Sequence, residues 1–319
     1  MFSLDLQTKI PLSKRSHNLI DYKSKILLLG SCFAENIGDK IDYFKFQNVI
    51  NPFGILFHPK AIETLVTDAI NERDYIADDI FSHNEQWHSF DAHSKLSNVS
   101  KEDLLDELNN AIKSTNQQIK SSTHVVITLG TSWVYRHIEN DKIVANCHKV
   151  PQRQFLKELL SIDDIVQSLQ AIVALIKQEN PIASIIFTVS PIRHIKDGFV
   201  ENNLSKSQLI SGIHEVVDER HGVTYFPSYE IMLDELRDYR FYKEDMIHPS
   251  NMAIGHIWGS FKLVWISNNA FKTMENVELI QKGLSHKPFN PESEQHQQFL
   301  TALKQKQEAL KKEHSHIQF

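Results

Sequence analysis

Lys25–Ile41 reads KILLLGSCFAENIGDKI. Its first part, Lys25–Leu29, is a short and nearly continuous apolar run, the mark of a strand buried on both faces. Gly30 and Ser31 interrupt the run, and a helical stretch follows over Cys32–Ile41. A hydroxyl and a thiol therefore stand where a strand hands over to a helix. Backbone N–H groups at a helix start are unpaired and attract developing negative charge. Either side chain could be a nucleophile there. Serine is equally common as a helix cap, and a free cysteine as a small core residue.

Outward from this turn the same alternation repeats. Helix Pro59–Ile70 carries proline in its first turn, where the missing N–H costs little. Ser100 is placed to cap the helix KEDLLDELNNAIKSTNQQIK. His124–Leu129 (HVVITL) and Ser184–Val189 (SIIFTV) are buried-type strands, and Val223–Phe226 is a fourth. Ser161 opens one intervening helix, a second covers Ser205–Arg220, and a last apolar helix covers Asn251–Ile266. Strand–helix alternation implies right-handed crossovers, a mostly parallel sheet and helices on both faces. WVYRHIENDKIVAN reads as a hairpin turning near Glu139–Asp141. Residues 42–100 read as an irregular insertion, expected with the hairpin to wall off the strand ends. One domain is expected over 1–270, with insertions near 42–100 and 131–155. Residues 271–319 read as a polar, helical, peripheral C-terminal extension.

Composition excludes several functions. The chain has 319 residues, 41% of them hydrophobic, enough for a large core. A net charge of −6 without a basic stripe argues against nucleic acid. No segment approaches the roughly 20 apolar residues of a membrane helix, and the N-terminus lacks a signal-peptide pattern. Cys32 and Cys147 are the only cysteines, so reduced thiols and a cytoplasmic location are expected. His83, His88 and His93 recur every five residues, a spacing that disperses side chains, so no metal site is read from them. No phosphate-cradling glycine motif is present, so no cofactor is expected.

The chemistry converges on Asp245 and His248 in the loop DMIHPS, ahead of the last helix. At this spacing a carboxylate can orient one imidazole nitrogen while the other faces outward. A serine needs such a base, because its hydroxyl is a weak nucleophile until a proton is removed. That logic assigns the nucleophile to Ser31 and turns Cys32 toward the core. Trp87, His88 and His148 are candidate pocket residues, and Arg193 a candidate anion contact.

Longer motifs then become identifiable. GSCFA (Gly30–Ala34), NPFGILFHP (Asn51–Pro59), TLGTSWVYR (Thr128–Arg136), ANCHK (Ala145–Lys149), TVSPIRHIKDG (Thr188–Gly198) and YRFYKEDMIHPS (Tyr239–Ser250) resemble the GSCFA family. That family is grouped with the SGNH, or GDSL-like, hydrolases. The resemblance implies a three-layer α/β, flavodoxin-like fold with Ser31 as nucleophile and Asp245 and His248 completing the triad. It implies Gly54 as an oxyanion-hole glycine. The usual asparagine of the third block is replaced by Ser132, within Gly130-Thr131-Ser132. The oxyanion donor is then sought among Thr131, the Asn146 amide and the Cys32 N–H. A small-molecule or acetylated-carbohydrate ester is the implied substrate of an esterase. An O-acyltransferase with the same triad and a non-catalytic binding domain are the alternatives, and the oligomeric state stays open.

Overall fold

A computed structural model describes residues 8–319. Its central sheet has five parallel strands: β1 (Lys25–Gly30), β2 (Gln47–Ile50), β3 (His124–Leu129), β4 (Ser184–Val189) and β5 (Val223–Tyr225). Their spatial order is β2-β1-β3-β4-β5, the order of flavodoxin-like folds. The chain reverses its direction of travel across the sheet between β1 and β3, and ligands bind outside the carboxyl ends of strands at such a switch point.

Strand alternation explains why the runs are largely apolar. Leu27, Leu29, Val125, Ile127, Ile185 and Phe187 enter one core layer. Ile26, Leu28, Val126 and Ile186 enter the other. The first layer is closed by α2 (Pro59–Ile70), α3 (Lys101–Ser121), α4 (Ile162–Glu179) and α5 (Phe199–Val216). The second is closed by α1 (Cys32–Tyr43), α6 (Asn251–Trp265), α7 (Asn268–Ser285) and α8 (Glu294–Glu313). Among the described residues no helix is long and apolar enough to cross a membrane.

Three expectations need correction. The segment 42–100 is not merely an insertion, because Gln47–Ile50 pairs with Lys25–Leu28 as an edge strand. All four of its residues are only half-buried, so it lacks the apolar run that marks its neighbours. The helix expected from Ser205 begins at Phe199, directly after Gly198 at φ +109°. The C-terminal extension is not peripheral: Leu303, Leu310 and Ile317 are buried in the second layer. The hairpin (Trp133–His137 with Lys142–Val144) gains a third antiparallel strand, Phe155–Leu159.

Candidate active site

Glycine geometry fixes the β1–α1 turn. Gly30 has φ +127°, and a Cβ there would lie 2.1 Å from the Thr128 carbonyl oxygen. The Gly30 N–H donates to Asn51 Oδ1 at 2.8 Å, and its carbonyl accepts from Leu56 N. The chain enters α1 at once. Ser31 is the N-cap; its Oγ accepts from the Phe33 N–H at 3.3 Å, and the residue is wholly enclosed. Cys32, the first helical residue, is half-buried and lines a cavity of about 620 Å³. As a first-turn residue it also has an N–H without an intrahelical acceptor.

The cavity lies outside the carboxyl ends of β1, β3 and β4, where Cys32, Thr131 and Ile192–Asp197 line it. One wall comes from the small antiparallel sheet through Trp133, Tyr135, Val144 and Phe155. On the rim is His248. Its Nδ1 is 2.7 Å from Asp245 Oδ2, while Asp245 Oδ1 accepts from the N–H groups of Ile247 and His248, both at 2.9 Å. Those backbone donors, ahead of the imidazole itself, hold the Asp245 carboxyl down at about 2. The loop is clamped at its base: Lys243 N donates to His248 O, Ser250 N donates to Phe241 O, and Met246 takes a left-handed φ of +59°. His248 therefore presents Nε2, which has no hydrogen-bond partner among the described residues.

The sequence-derived candidates divide. Asp245 and His248 meet, and Cys32, Thr131, Asn146 and His248 share the cavity. Ser31 does not line it, and no hydrogen bond joins Ser31 to His248 among the described residues. Gly54 sits in a turn: at φ +71° its N–H donates to Asn51 O at 2.7 Å. The Gly130 N–H goes to Phe57 O. Ser132 is enclosed, bonded to Ser205 and Gln208. The Thr131 N–H also meets Phe57 O, and its Oγ1 bonds Ser205 and accepts from Trp133 N. Asn146 Oδ1 accepts from His148 N and its backbone N–H donates to Phe90 O, while its side-chain NH2 has no partner among the described residues. Trp87 stacks with Lys101 at 5.2 Å, away from the cavity. His88 and His148 are buried together, ring to ring at 4.6 Å, bonded to Ser97, His83 and Ser89.

Three site groups escaped the sequence reading. His58 caps α2, its Nδ1 accepting from Ala61 N, and lines the cavity. His194 lines it too, with a buried and unpartnered Nε2. Lys206, wholly buried in α5, donates to the carbonyls of Gly130 at 2.6 Å and Ser190 at 2.8 Å. The motifs NPFGILFHP and TVSPIRHIKDG carried hints, for His58 and His194.

Burial also sets the titration of these histidines. It pushes His58, His124 and His148 down to about 4, and His194 to about 3. The folded protein holds them neutral well below the ordinary value near 6.5. Their contribution to stability is therefore complete above pH ~6.5 and is lost as pH falls toward 4. Thermal melting is expected to drop by on the order of 10 °C between pH 7 and pH 4. A level melting temperature across that window would contradict the neutral, buried state of these rings.

A family model described as the GSCFA family matches residues 25–261, and one described as the GSCFA domain protein, C-terminal domain, matches residues 277–319. No curated protein matches the chain.

Proposed function

The chain belongs to the GSCFA family, and from that premise we propose an acyl-ester hydrolase of SGNH type whose attacking atom is the Cys32 sulfur. The observation that carries the reading is the Asp245–His248 pair, held at 2.7 Å on the rim of the cavity that Cys32 also lines. Asp245 fixes the tautomer with the proton on Nδ1, so Nε2 is the base. His248 takes the thiol proton as sulfur bonds to the ester carbonyl carbon. Collapse breaks the C–O bond, and the imidazolium returns that proton to the leaving alcohol. Water, deprotonated by His248, then attacks the thioester; acid leaves and the thiol is restored. The Cys32 N–H and the Asn146 amide are the donors available to the oxyanion.

Burial, reinforced by Glu35, raises the Cys32 thiol above its ordinary value. A resting thiolate is thus disfavoured, and a general base is required. Ser31 would serve only if its oxygen left the Phe33 amide and the turn opened. A sugar hydroxyl in place of water would make the same residues an O-acyltransferase.

The test is turnover of aryl acetates and acetylated sugars, with product analysis to separate the two acceptors. His248→Gln is expected to lose on the order of 10³-fold in kcat or more, and Asp245→Asn on the order of 10²–10⁴-fold through the wrong tautomer. If the folded wild-type protein hydrolyses no ester and accepts no acyl probe at residue 31 or 32, a non-catalytic binding domain replaces this reading.

A further inference from the structure

Arg193 stands apart from the other arginines. Arg15, Arg73, Arg136, Arg220, Arg237 and Arg240 each reach a carboxylate within 3.3 Å. Arg153 has no such partner among the described residues, but it is exposed to water. Arg193 has none there either, yet it is half-buried and lines the cavity that Cys32 and His248 also line. A guanidinium partly withdrawn from water is costly unless an anion pairs with it. The chain on either side is pinned: the Ile192 N–H donates to Ser190 Oγ at 3.3 Å, and the His194 N–H donates to Asn202 Oδ1 at 2.9 Å.

The charges around the cavity do not cancel. Asp197 is the one carboxylate in its lining among the described residues, and Lys157 holds it at 2.6 Å. The same ammonium lies 4.4 Å over the ring of Trp133. Asp245, on the rim, is engaged by His248. Arg193 and the exposed Lys196 remain as uncompensated positive charge. The cavity also has an aromatic wall. Trp133 and Tyr135 are two apart on one strand and project to the same side, and Tyr135 meets Phe155 edge-on at 6.5 Å. A volume of about 620 Å³ holds far more than an acetyl group, so the rest of an ester fits there too.

We infer that the substrate is an ester whose alcohol part is a ring bearing an oxyanion, a carboxylate or a phosphate, and that Arg193 is the residue that selects it. This rests on the hydrolase reading and adds a substrate class to it. The ring packs on the wall of Trp133 and Tyr135. The planar fork of Arg193 matches two oxygens of either anion. Lys196, in water, adds little.

The experiment first reads binding, which needs no turnover. Para-acetamidobenzoate and para-acetamidophenyl phosphate are amide analogues of acetate esters that carry one anion or the other; para-acetamidobenzamide is their neutral match. In calorimetric titrations near neutral pH, the wild-type protein is expected to bind one of the anions about tenfold or more tightly than the benzamide. The tighter of the two separates carboxylate from phosphate, and its binding is expected to shield Cys32 from iodoacetamide. Arg193→Gln is expected to bring the preference within about twofold, and Arg193→Lys, which keeps the charge without the fork, to retain part of it. Equal affinity for charged and neutral ligands in the wild type would overturn the inference. So would a preference that survives in folded Arg193→Gln protein, or a bound anion that leaves Cys32 unshielded. Turnover of para-acetoxybenzoate and its methyl ester then separates this inference from the reading beneath it. Hydrolysis of both with equal kcat/KM would keep the hydrolase and reject the selection by charge. Arg193-dependent anion binding in a protein that hydrolyses no ester would keep the anion site and reject the hydrolase.

Discussion

Cys32→Ala is expected to abolish ester turnover, by on the order of 10³-fold or more in kcat, whereas Ser31→Ala retains it within a few-fold. The difference between adjacent residues follows from their places in one turn. Ser31 is enclosed, with its oxygen facing the Phe33 N–H, so alanine there removes a helix cap and costs about 1 kcal/mol of stability. Cys32 stands one position on, at the cavity. Losing the nucleophile of a triad leaves only binding and oxyanion stabilisation. Initial rates on a chromogenic acetate, beside thermal melts, separate the two effects. The opposite ranking, with Ser31→Ala dead and Cys32→Ala active, would return the nucleophile to the serine.

Gly30→Ala is expected to be the most damaging single substitution for folding, at more than ~3 kcal/mol. A left-handed φ of +127° is strained for any L side chain, and the new methyl would lie 2.1 Å from the Thr128 carbonyl oxygen. Relief would require β1 and β3 to part, and their pairing, Ile26–Gly30 with His124–Thr128, is central to the sheet. Denaturant unfolding gives the number. A loss under ~1 kcal/mol would mean that the turn has slack and does not dictate which residue faces the cavity.

The central strands were legible because strands covered on both faces are largely apolar along their length. KILLL, HVVITL and SIIFTV satisfy that, and the last two match observed strands to the residue. QNVI and FLKEL escaped notice because each has polar residues facing solvent. The Asp245–His248 pair was legible because its partners are three residues apart and meet within one turn. The place of Cys32 was legible only in part: it packs against the second layer, as expected, and also lines the cavity. It depends on where α1 begins relative to the sheet, and Gly30's contact with a distant strand sets that phase. Lys206 was invisible for a related reason: SKSQ in a helix reads as a wet face, and only packing against β3 and β4 encloses it. The glycine of NPFG was legible as a special position, but its special property is a turn conformation.

The two matched stretches stop at 261 and resume at 277, but the folded body has no seam there. Helix α7 runs through the gap from Asn268 to Ser285, and Ile20 bridges to Ile266 across the same face. Tyr22 lies between Phe46 and His314, stacked at 4.5 and 4.8 Å. Segments before β1 and after α8 therefore close one layer together. Cutting the chain between the two stretches is expected to bare the apolar face that Leu303, Leu310 and Ile317 cover.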